Sequence, residues 1–410
     1  MKNILVLGNG FDLEHKIPSK YKEFLGFTHF INVLNGFMKK DDISNQHKKK
    51  IYNDITRLSS YYIDINDDNL NERKKYIEEL YQLTKDNIWI KYFNWSLKRN
   101  KQIGEEFNWV DIEKEISNVI KIFSINISLN NEVLKKKETR QTIKKNFNFA
   151  IEDIIIDIEN VIENKFKRDE KNIIPRVDAW LRYKEILRSD FEKCIRALEL
   201  YLDYFIDYKK INPKINFDDI IFDRIINFNY TDTLRRCYKC MCDIKVEFIH
   251  GNANYKRDAN ENNMVLGIEE FLPEETRNHN VDLVEYRKFY QRIVKKCDFD
   301  YRRYISKNDD EISTFFFGHS MAESDKDILR YLLPDVNDNS RIKHSYILYY
   351  SLNDFKSKVM NLIQVLGQDE LNQLVCGENP RIEFYDQKDF SDLIKKHNLS
   401  VLVKSVSCEA

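Results

Sequence analysis

Glycines and polar residues follow four short apolar runs of the sequence, and their chemistry suits the binding of a nucleotide. They are Gly8 and Gly10 in LVLGNGF, Asn227 and Asn229 in NFNY, His250 and Gly251 in FIHG, and Gly318, His319 and Ser320 in FFFGHS. A neutral histidine accepts a proton at cellular pH, and asparagine hydrogen-bonds a sugar or water without adding charge. Glycine amides approach phosphate closely. We therefore expect a nucleotide site in which His250 and Asn229 carry the chemistry.

These residues need a framework that brings distant parts of the chain together. Residues 3–7, NILVL, are apolar without interruption, which is typical of a strand buried on both faces. Past Pro213, short β-rich runs alternate with helical patterns, which predicts a parallel sheet with helices on its faces. Because the carboxyl ends of parallel strands share one edge, we expect the glycines and polar residues to meet there.

A long helical block separates the first strand from the later ones. Glycine is almost absent from this part of the sequence, and segments such as 110–123 and 179–205 repeat apolar residues at helical spacing. We predict an α/β core formed by residues 1–28 and 213–410, with residues 29–212 inserted as a large all-α block. We expect this block to mediate sensing or the formation of a homo-oligomer.

Composition and charge argue against several classes of function. The 66 Lys and Arg residues against 67 Asp and Glu residues leave a net charge of -1, so no global field favours nucleic acid or an anionic membrane. No run reaches the roughly 18 apolar residues of a membrane span. The seven scattered cysteines fit a reducing, cytoplasmic location. Cys237, Cys240 and Cys242 suit half of a zinc site, but no second pair follows, and we expect no metal.

A second group of candidate residues lies within the helical block. In NWVDIEKEI, Asp111 and Glu115 stand four residues apart and share a helix face, with Glu113 between them in sequence. One interpretation is a solvated acidic stripe. The other is that one of these carboxylates reaches the site as an acid, a ribose ligand or a divalent-metal ligand. The sequence leaves both interpretations open.

The first glycine loop departs from the ordinary dinucleotide-binding fingerprint, because Leu13 stands where G-x-G-x-x-G requires its third glycine. The motifs together resemble the AbiH bacteriophage abortive-infection family. This resemblance rests on LVLGNGFDLEHKIPSKYKEFL, WVDIEKEI, FNYTDTL, IHG, LGIEE and GHSMAESD, which span nearly the whole chain. That family in turn resembles sirtuin-like NAD-binding domains, in which a G-A-G-x-S…G-I-P loop and T-x-N-x-D, H-G and G-x-S strand ends surround NAD. The resemblance implies a sirtuin-like, Rossmann-type sheet with NAD as substrate or ligand.

The resemblance also implies a role for individual residues. Asn229 matches the asparagine that positions ribose or water, and His250 matches the base that acts on the ribose. The residues assigned to NAD binding are Gly8, Asn9, Gly10, Phe11, Asp12, Ile17, Pro18, Asn227, Gly251, Gly318, His319 and Ser320. Three positions depart from the sirtuin-like pattern, since Asp12 replaces Ser, Lys16 replaces Gly and Thr231 replaces Asp.

The resemblance implies an antiphage effector that binds and hydrolyses NAD when it senses an unidentified phage component. Two alternatives stay open. One is a nucleotide-binding sensor without hydrolysis, which the altered residues at positions 12 and 231 favour. The other is a metal-dependent nuclease that uses the carboxylates of the helical block, which the even charge balance supports little.

Overall fold

The structure of the chain, a computed structural model, describes residues 2–38, 62, 70–102, 112–120, 176–268, 284–297, 299–307 and 310–399. Every candidate site residue except Asp111 lies within these ranges, and the prediction for Asp111 falls outside the described residues. No helix in this part of the chain is both long enough and apolar enough to cross a membrane.

A six-stranded parallel sheet lies at the centre of the described residues. Its strands are β1 (Lys2–Leu7), β2 (Arg224–Asn227), β3 (Val246–Phe248), β4 (Ile312–Phe317), β5 (Ile342–Tyr349) and β6 (Ile382–Asp386). They lie in the order β3-β2-β1-β4-β5-β6, and each neighbouring pair is parallel. This is the doubly wound, Rossmann-type order, whose winding direction reverses between β1 and β4. The predicted parallel α/β sheet is confirmed.

The central strands are apolar because both of their faces are covered. In β1, Ile4 and Val6 belong to the core on one face, while Leu5 and Leu7 belong to the core on the other. All six residues of β4 are buried as well. Since side chains alternate across a strand, one uninterrupted apolar run supplies both cores.

Helices connect the strands and cover the sheet, as parallel strands require. The described α-helices are α1 (Asn9–Glu14), α2 (Tyr21–Met38), α3 (Leu70–Thr84), α4 (Ile88–Gln102), α5 (residues 112–120), α6 (Arg176–Leu200), α7 (Thr233–Cys237), α8 (Lys288–Val294), α9 (Asp300–Lys307), α10 (Lys326–Leu332), α11 (Leu352–Leu366), α12 (Gln368–Val375) and α13 (Phe390–Lys396). The crossover from β2 to β3 contains α7, that from β4 to β5 contains α10, and that from β5 to β6 contains α11 and α12.

The helices of the predicted insertion pack beside the first loop of the sheet. One buried cluster joins Tyr21 of α2 to Trp89 of α4, Leu198 of α6 and Tyr286, which lies just before α8. Helix α2 runs through residue 28, where we set the boundary of the insertion. The division into two domains stays a prediction, and the shared cluster links the helices to segments that border the candidate site.

The loops that follow β1 and β4 pack backbone against backbone. The Gly8 amide donates to the Phe317 carbonyl (3.0 Å), and the Gly10 amide donates to the Gly318 carbonyl (2.8 Å). A Cβ atom at Gly10 would lie only 2.7 Å from the Gly318 Cα. Gly318 has φ +68°, and a Cβ there would overlap the amide nitrogen of Phe11. Glycine is needed at these positions for close approach and for the left-handed backbone.

We expect Gly318→Ala to lower the free energy of unfolding by at least about 2 kcal/mol, because the added methyl meets backbone atoms at a positive φ. The control is Gly26→Ala on the exposed face of α2, where nothing lies within 4 Å of an added Cβ. That substitution should raise stability by about 0.5 to 1 kcal/mol, because alanine favours helix more than glycine does. Urea denaturation of both variants measures the difference, and equal stabilities would contradict the close-packing argument.

Candidate functional site

The carboxyl ends of four neighbouring strands lie at one level of the sheet. Leu7 pairs with both Asn227 and Phe317, and Asn227 pairs with Phe248, so β1, β2, β3 and β4 end in register. The residues that follow these ends include Gly8, Asn229, His250, Gly318 and His319. The structure therefore brings these predicted site residues to one edge, beside the reversal point between β1 and β4. In open parallel sheets that edge is where ligands bind.

The amides of the first glycine loop are already hydrogen-bonded within the protein. The Gly8 amide donates to Phe317 at the end of β4, the Gly10 amide donates to Gly318 in the loop after β4, and the Phe11 amide donates to the Gly8 carbonyl (2.9 Å). The Phe11 side chain is fully buried, with its ring 5.7 Å from that of Phe317. In this structure the Gly8 and Gly10 amides therefore have carbonyl acceptors within the protein, at the end of β4 and in the loop that follows it.

The turn after α1 is held by hydrogen bonds and by burial. The side-chain oxygen of Asn9 accepts a hydrogen bond from the Ser19 hydroxyl (2.7 Å). Ile17 is buried, and the Pro18 carbonyl accepts a hydrogen bond from the hydroxyl of a tyrosine in the helical region (2.6 Å). Lys16 has φ +59°, which lies in the left-handed region that glycine favours.

Asp12 connects the first loop to the loop after β2. Its two carboxylate oxygens accept hydrogen bonds from the hydroxyls of Thr231 (2.6 Å) and Thr233 (2.7 Å). Burial raises the pKa of Asp12 to about 6, although the two threonine hydrogen bonds oppose this shift. Asp12 and Thr231, two of the residues that differ from the sirtuin-like pattern, thus hydrogen-bond each other directly. The Asp12 carboxylate faces these hydroxyls, so it serves as a connection between two loops.

Asn227 and Asn229 hold the end of β2 against the end of β1. The Asn227 side chain accepts a hydrogen bond from the Asn229 amide (2.9 Å) and donates one to the Thr231 carbonyl (2.9 Å). The Asn229 side-chain nitrogen donates to the Gly8 carbonyl (2.9 Å). The side-chain nitrogen of Asn229 is therefore used to hold the Gly8 carbonyl. Its side-chain oxygen is the candidate atom for binding a ribose hydroxyl or a water molecule.

His250 is a buried imidazole directly after β3, with only 6% of its surface exposed. Its Nε2 lies 3.2 Å from Asp325 Oδ1, whereas its Nδ1 is buried with no hydrogen-bond partner among the described residues. Burial lowers the pKa of His250 to about 4, so the ring is neutral at cellular pH. Gly251 follows with φ +73° and turns the chain away from the edge. The carboxylate at Nε2 favours the tautomer in which Nδ1 is a bare acceptor.

His319 lies beside His250 on the other side of a shared aromatic ring. The Phe228 ring is 4.3 Å from the His319 ring and 5.6 Å from the His250 ring, measured between centroids. Burial lowers the pKa of His319 to about 4. Its Nδ1 accepts a hydrogen bond from the Met321 amide (3.0 Å), and its Nε2 lies 3.8 Å from Asp325 Oδ2. Ser320 is exposed, so its side chain lies at the surface. It is outside the buried group formed by His250, His319, Asp325 and Lys288, which we call the histidine cluster.

Asp325 sits between the two histidines and a buried lysine. Lys288, only 4% exposed, donates to Asp325 Oδ1 (3.4 Å) and pairs with Glu113 Oε1 of α5 (2.7 Å). Burial favours a higher pKa for Asp325, but Lys288 and the hydrogen bond from His250 outweigh it and lower that pKa. Burial raises the pKa of Glu113, which Lys288 opposes. The cluster therefore joins the sheet edge to a helix of the predicted insertion.

The other members of the predicted acidic site do not share this placement. Glu115 accepts a hydrogen bond from the Tyr92 hydroxyl of α4, and Asp111 lies outside the described residues. Within the part of the chain that the structure describes, no group of three or more His, Cys, Asp or Glu side chains could hold a metal ion. Of the acidic residues in WVDIEKEI that the structure describes, Glu113 is the one in contact with the histidine cluster.

Sequence reasoning assigned no role in the site to Lys288 or Asp325. Lysine is abundant in this chain, and nothing in EYRKFYQRI distinguishes a buried lysine from a solvated one. Asp325 does carry a signal, because it follows the GHS strand end by five residues in GHSMAESD. Together with His250 it forms an acid-histidine pair, which is the arrangement that orients a general base in many hydrolytic sites.

A family model described as Bacteriophage abortive infection AbiH matches residues 4–346, from β1 into β5. The chain has no match among curated proteins or among solved structures. The matched range contains all of the residues in the histidine cluster.

The raised pKa of Asp12 makes the free energy of unfolding depend on pH. A buried acid whose pKa is about 6 in the folded state, against about 3.9 unfolded, destabilises the fold as pH rises through that interval. Asp12→Asn removes this titration and keeps a side chain that hydrogen-bonds both threonines. We expect the stability of Asp12→Asn relative to the parent protein to increase by about 2 kcal/mol between pH 4.5 and pH 7.5. Urea denaturation across this range measures it, and parallel stability profiles would count against the shift.

Proposed function

The chain belongs to the AbiH family of bacteriophage abortive-infection proteins, and we propose that it acts in phage defence by binding NAD and hydrolysing its nicotinamide–ribose bond. The family supports the defence role. The hydrolytic role is our proposal, and it rests on the His250–Asp325 pair at the carboxyl edge of the sheet. A sirtuin-like NAD-binding core is part of the same proposal, supported by the Rossmann-type strand order and by Asn229 and His250 at adjacent strand ends.

The observation that carries the proposal is the Nδ1 of a neutral, buried His250, which has no hydrogen-bond partner in the part of the chain that the structure describes. Cleavage of the nicotinamide–ribose bond passes through an oxocarbenium-like transition state, and nicotinamide leaves with the bonding electron pair. Water then adds to the ribose carbon and loses a proton. In our proposal His250 Nδ1 accepts a proton from a ribose hydroxyl or from this water, while Asp325 holds the ring at Nε2. The ionised Asp325 stabilises the imidazolium that forms.

Asn229 and the loops around it provide the orientation. The Asn229 nitrogen is committed to the Gly8 carbonyl, so the side chain has a defined direction before substrate binds. We assign its oxygen to a ribose hydroxyl or to the attacking water. The half-buried Asn9, Gly10 and Gly318 and the exposed Ser320 mark the side of the cluster that faces solvent. We propose that the nucleotide enters from this side.

A nucleotide sensor without hydrolysis is the second candidate, and one observation favours it. The Gly8 and Gly10 amides donate to the carbonyls of Phe317 and Gly318, so they do not provide the phosphate cradle that a dinucleotide enzyme ordinarily has. A ligand that makes fewer phosphate contacts than NAD would fit such an edge. This candidate uses the same residues and differs in whether the bond is broken.

The test is nicotinamide release from NAD by the purified protein, together with NAD levels in infected cells that express it. We expect His250→Ala and Asn229→Ala each to lower the rate by about 100-fold or more, since a positioned base contributes roughly 100- to 10,000-fold. His29→Ala, on the exposed face of α2, is the matched control and should keep the parent rate.

The outcomes separate the two candidates. Hydrolysis that survives both substitutions would refute the catalytic assignment. Thermal stabilisation by a nucleotide, without turnover and without loss of cellular NAD during infection, would establish the sensor. Melting temperatures of both variants show whether a lost activity reflects lost folding, because Asn229 also holds the Gly8 loop.

A further inference from the structure

A chain of charged contacts runs from a helix of the predicted insertion to His250. Glu113 Oε1 of α5 lies 2.7 Å from Lys288 Nζ at the start of α8. Lys288 Nζ lies 3.4 Å from Asp325 Oδ1, in the turn before α10. The same Asp325 oxygen lies 3.2 Å from His250 Nε2. Lys288 thus links the carboxylate of Glu113 in α5 to the carboxylate of Asp325 beside the proposed base.

Two donors compete for that carboxylate oxygen. The Lys288 ammonium and the His250 Nε2–H both point to Asp325 Oδ1. A buried ammonium must be paired, because an uncompensated charge in the interior is strongly unfavourable. Lys288 Nζ lies closer to Glu113 Oε1 (2.7 Å) than to Asp325 Oδ1 (3.4 Å). Glu113 therefore takes the closer contact with the ammonium, so the contact from Lys288 to Asp325 Oδ1 stays long (3.4 Å) while the same oxygen also accepts from His250 (3.2 Å).

We propose that Glu113 is a positioning residue of this site, which holds Lys288 away from Asp325 and so fixes the tautomer and orientation of His250. The inference rests on the proposed function only in naming His250 as the base. It makes the site a composite of the sheet edge and α5. Movement of α5 would release Lys288 onto Asp325 and disturb the base, which connects the helices of the predicted insertion to the reactive group.

Several charged or titratable groups face His250, and one of them hydrogen-bonds its Nε2. Asp325 and Lys288 face it as described, Arg292 of α8 contributes a further positive field, and the neutral His319 lies across the Phe228 ring. Asp325 is the group that hydrogen-bonds Nε2. Loss of Glu113 therefore changes His250 through the Lys288–Asp325 contact, with no direct contact between Glu113 and the imidazole required.

The first measurement is the tautomer of His250, read from the ¹⁵N shifts of histidine-labelled full-length protein and assigned with His250→Ala. In the parent protein we expect a protonated Nε2 and a bare Nδ1. Glu113→Gln should give a mixture of both tautomers, and Glu113→Asp should restore most of the parent signal. The control is Glu79→Gln, which removes one of the two carboxylate partners of another buried cation in the helical region: Arg196 pairs with Glu79 (3.0 Å) and with Glu199 (2.7 Å). The control should leave the tautomer unchanged.

The second measurement is NAD hydrolysis by the same variants. Glu113→Gln should lower kcat by at least about tenfold, because a wrongly oriented histidine is a poor base, and Glu79→Gln should stay within about twofold of the parent. A single His250 tautomer in Glu113→Gln, equal to that of the parent, would overturn the inference even if NAD is hydrolysed. Mixed tautomers in Glu113→Gln, together with no NAD hydrolysis by the parent protein, would uphold the inference and refute the proposed function. If Glu113→Gln fails to fold, the double variant Glu113→Gln/Lys288→Met, which also removes the buried ammonium, decides by the tautomer: a single parent-like tautomer upholds the inference, and a mixture overturns it.

Discussion

The backbone contact between the loops after β1 and β4 is the constraint on which the rest of the site depends. Gly10 and Gly318 approach more closely than any side chain would allow, and the hydrogen bonds of Gly8 and Gly10 lock that approach. The contact lies at the reversal point of the sheet, where the helices of the two windings diverge. It fixes the Gly8 carbonyl, which orients Asn229, and it fixes the start of the His319 loop.

The polar residues at this edge divide into those that hold loops and those that keep reactive capacity. Asp12 belongs to the first group, because both of its oxygens accept hydrogen bonds from threonine hydroxyls in the segment that follows β2. His250 belongs to the second, because Asp325 holds one ring nitrogen and the other is buried with no partner among the residues described. A buried polar atom without a partner is costly, and such atoms are expected where a substrate supplies the missing contact. This difference is the physical basis for assigning the chemistry to His250.

The helices between the first strand and the second contribute to the site as well as to the fold. Their core includes Tyr21 and Leu198 together with Tyr286, which lies two residues before Lys288. The packing of α6 and α4 against that segment places Lys288 within reach of both Glu113 and Asp325. The charge network is therefore shared between a helix of this region and the sheet edge.

The sequence by itself determined the sheet and the edge. Strands buried on both faces must be apolar throughout, and the glycines and polar residues that end them mark Gly8, Asn229, His250 and Gly318 without reference to any contact. Only the tertiary structure decided that the glycine amides bond to a neighbouring loop, that Asp12 pairs with Thr231, and that Lys288 is buried between two carboxylates. The reason is distance along the chain: Asp12 and Thr231 are 219 positions apart, so neither leaves a local pattern that names the other. Burial of one lysine among many is likewise a property of packing, since the residue type alone is the same for a solvated side chain and a paired one.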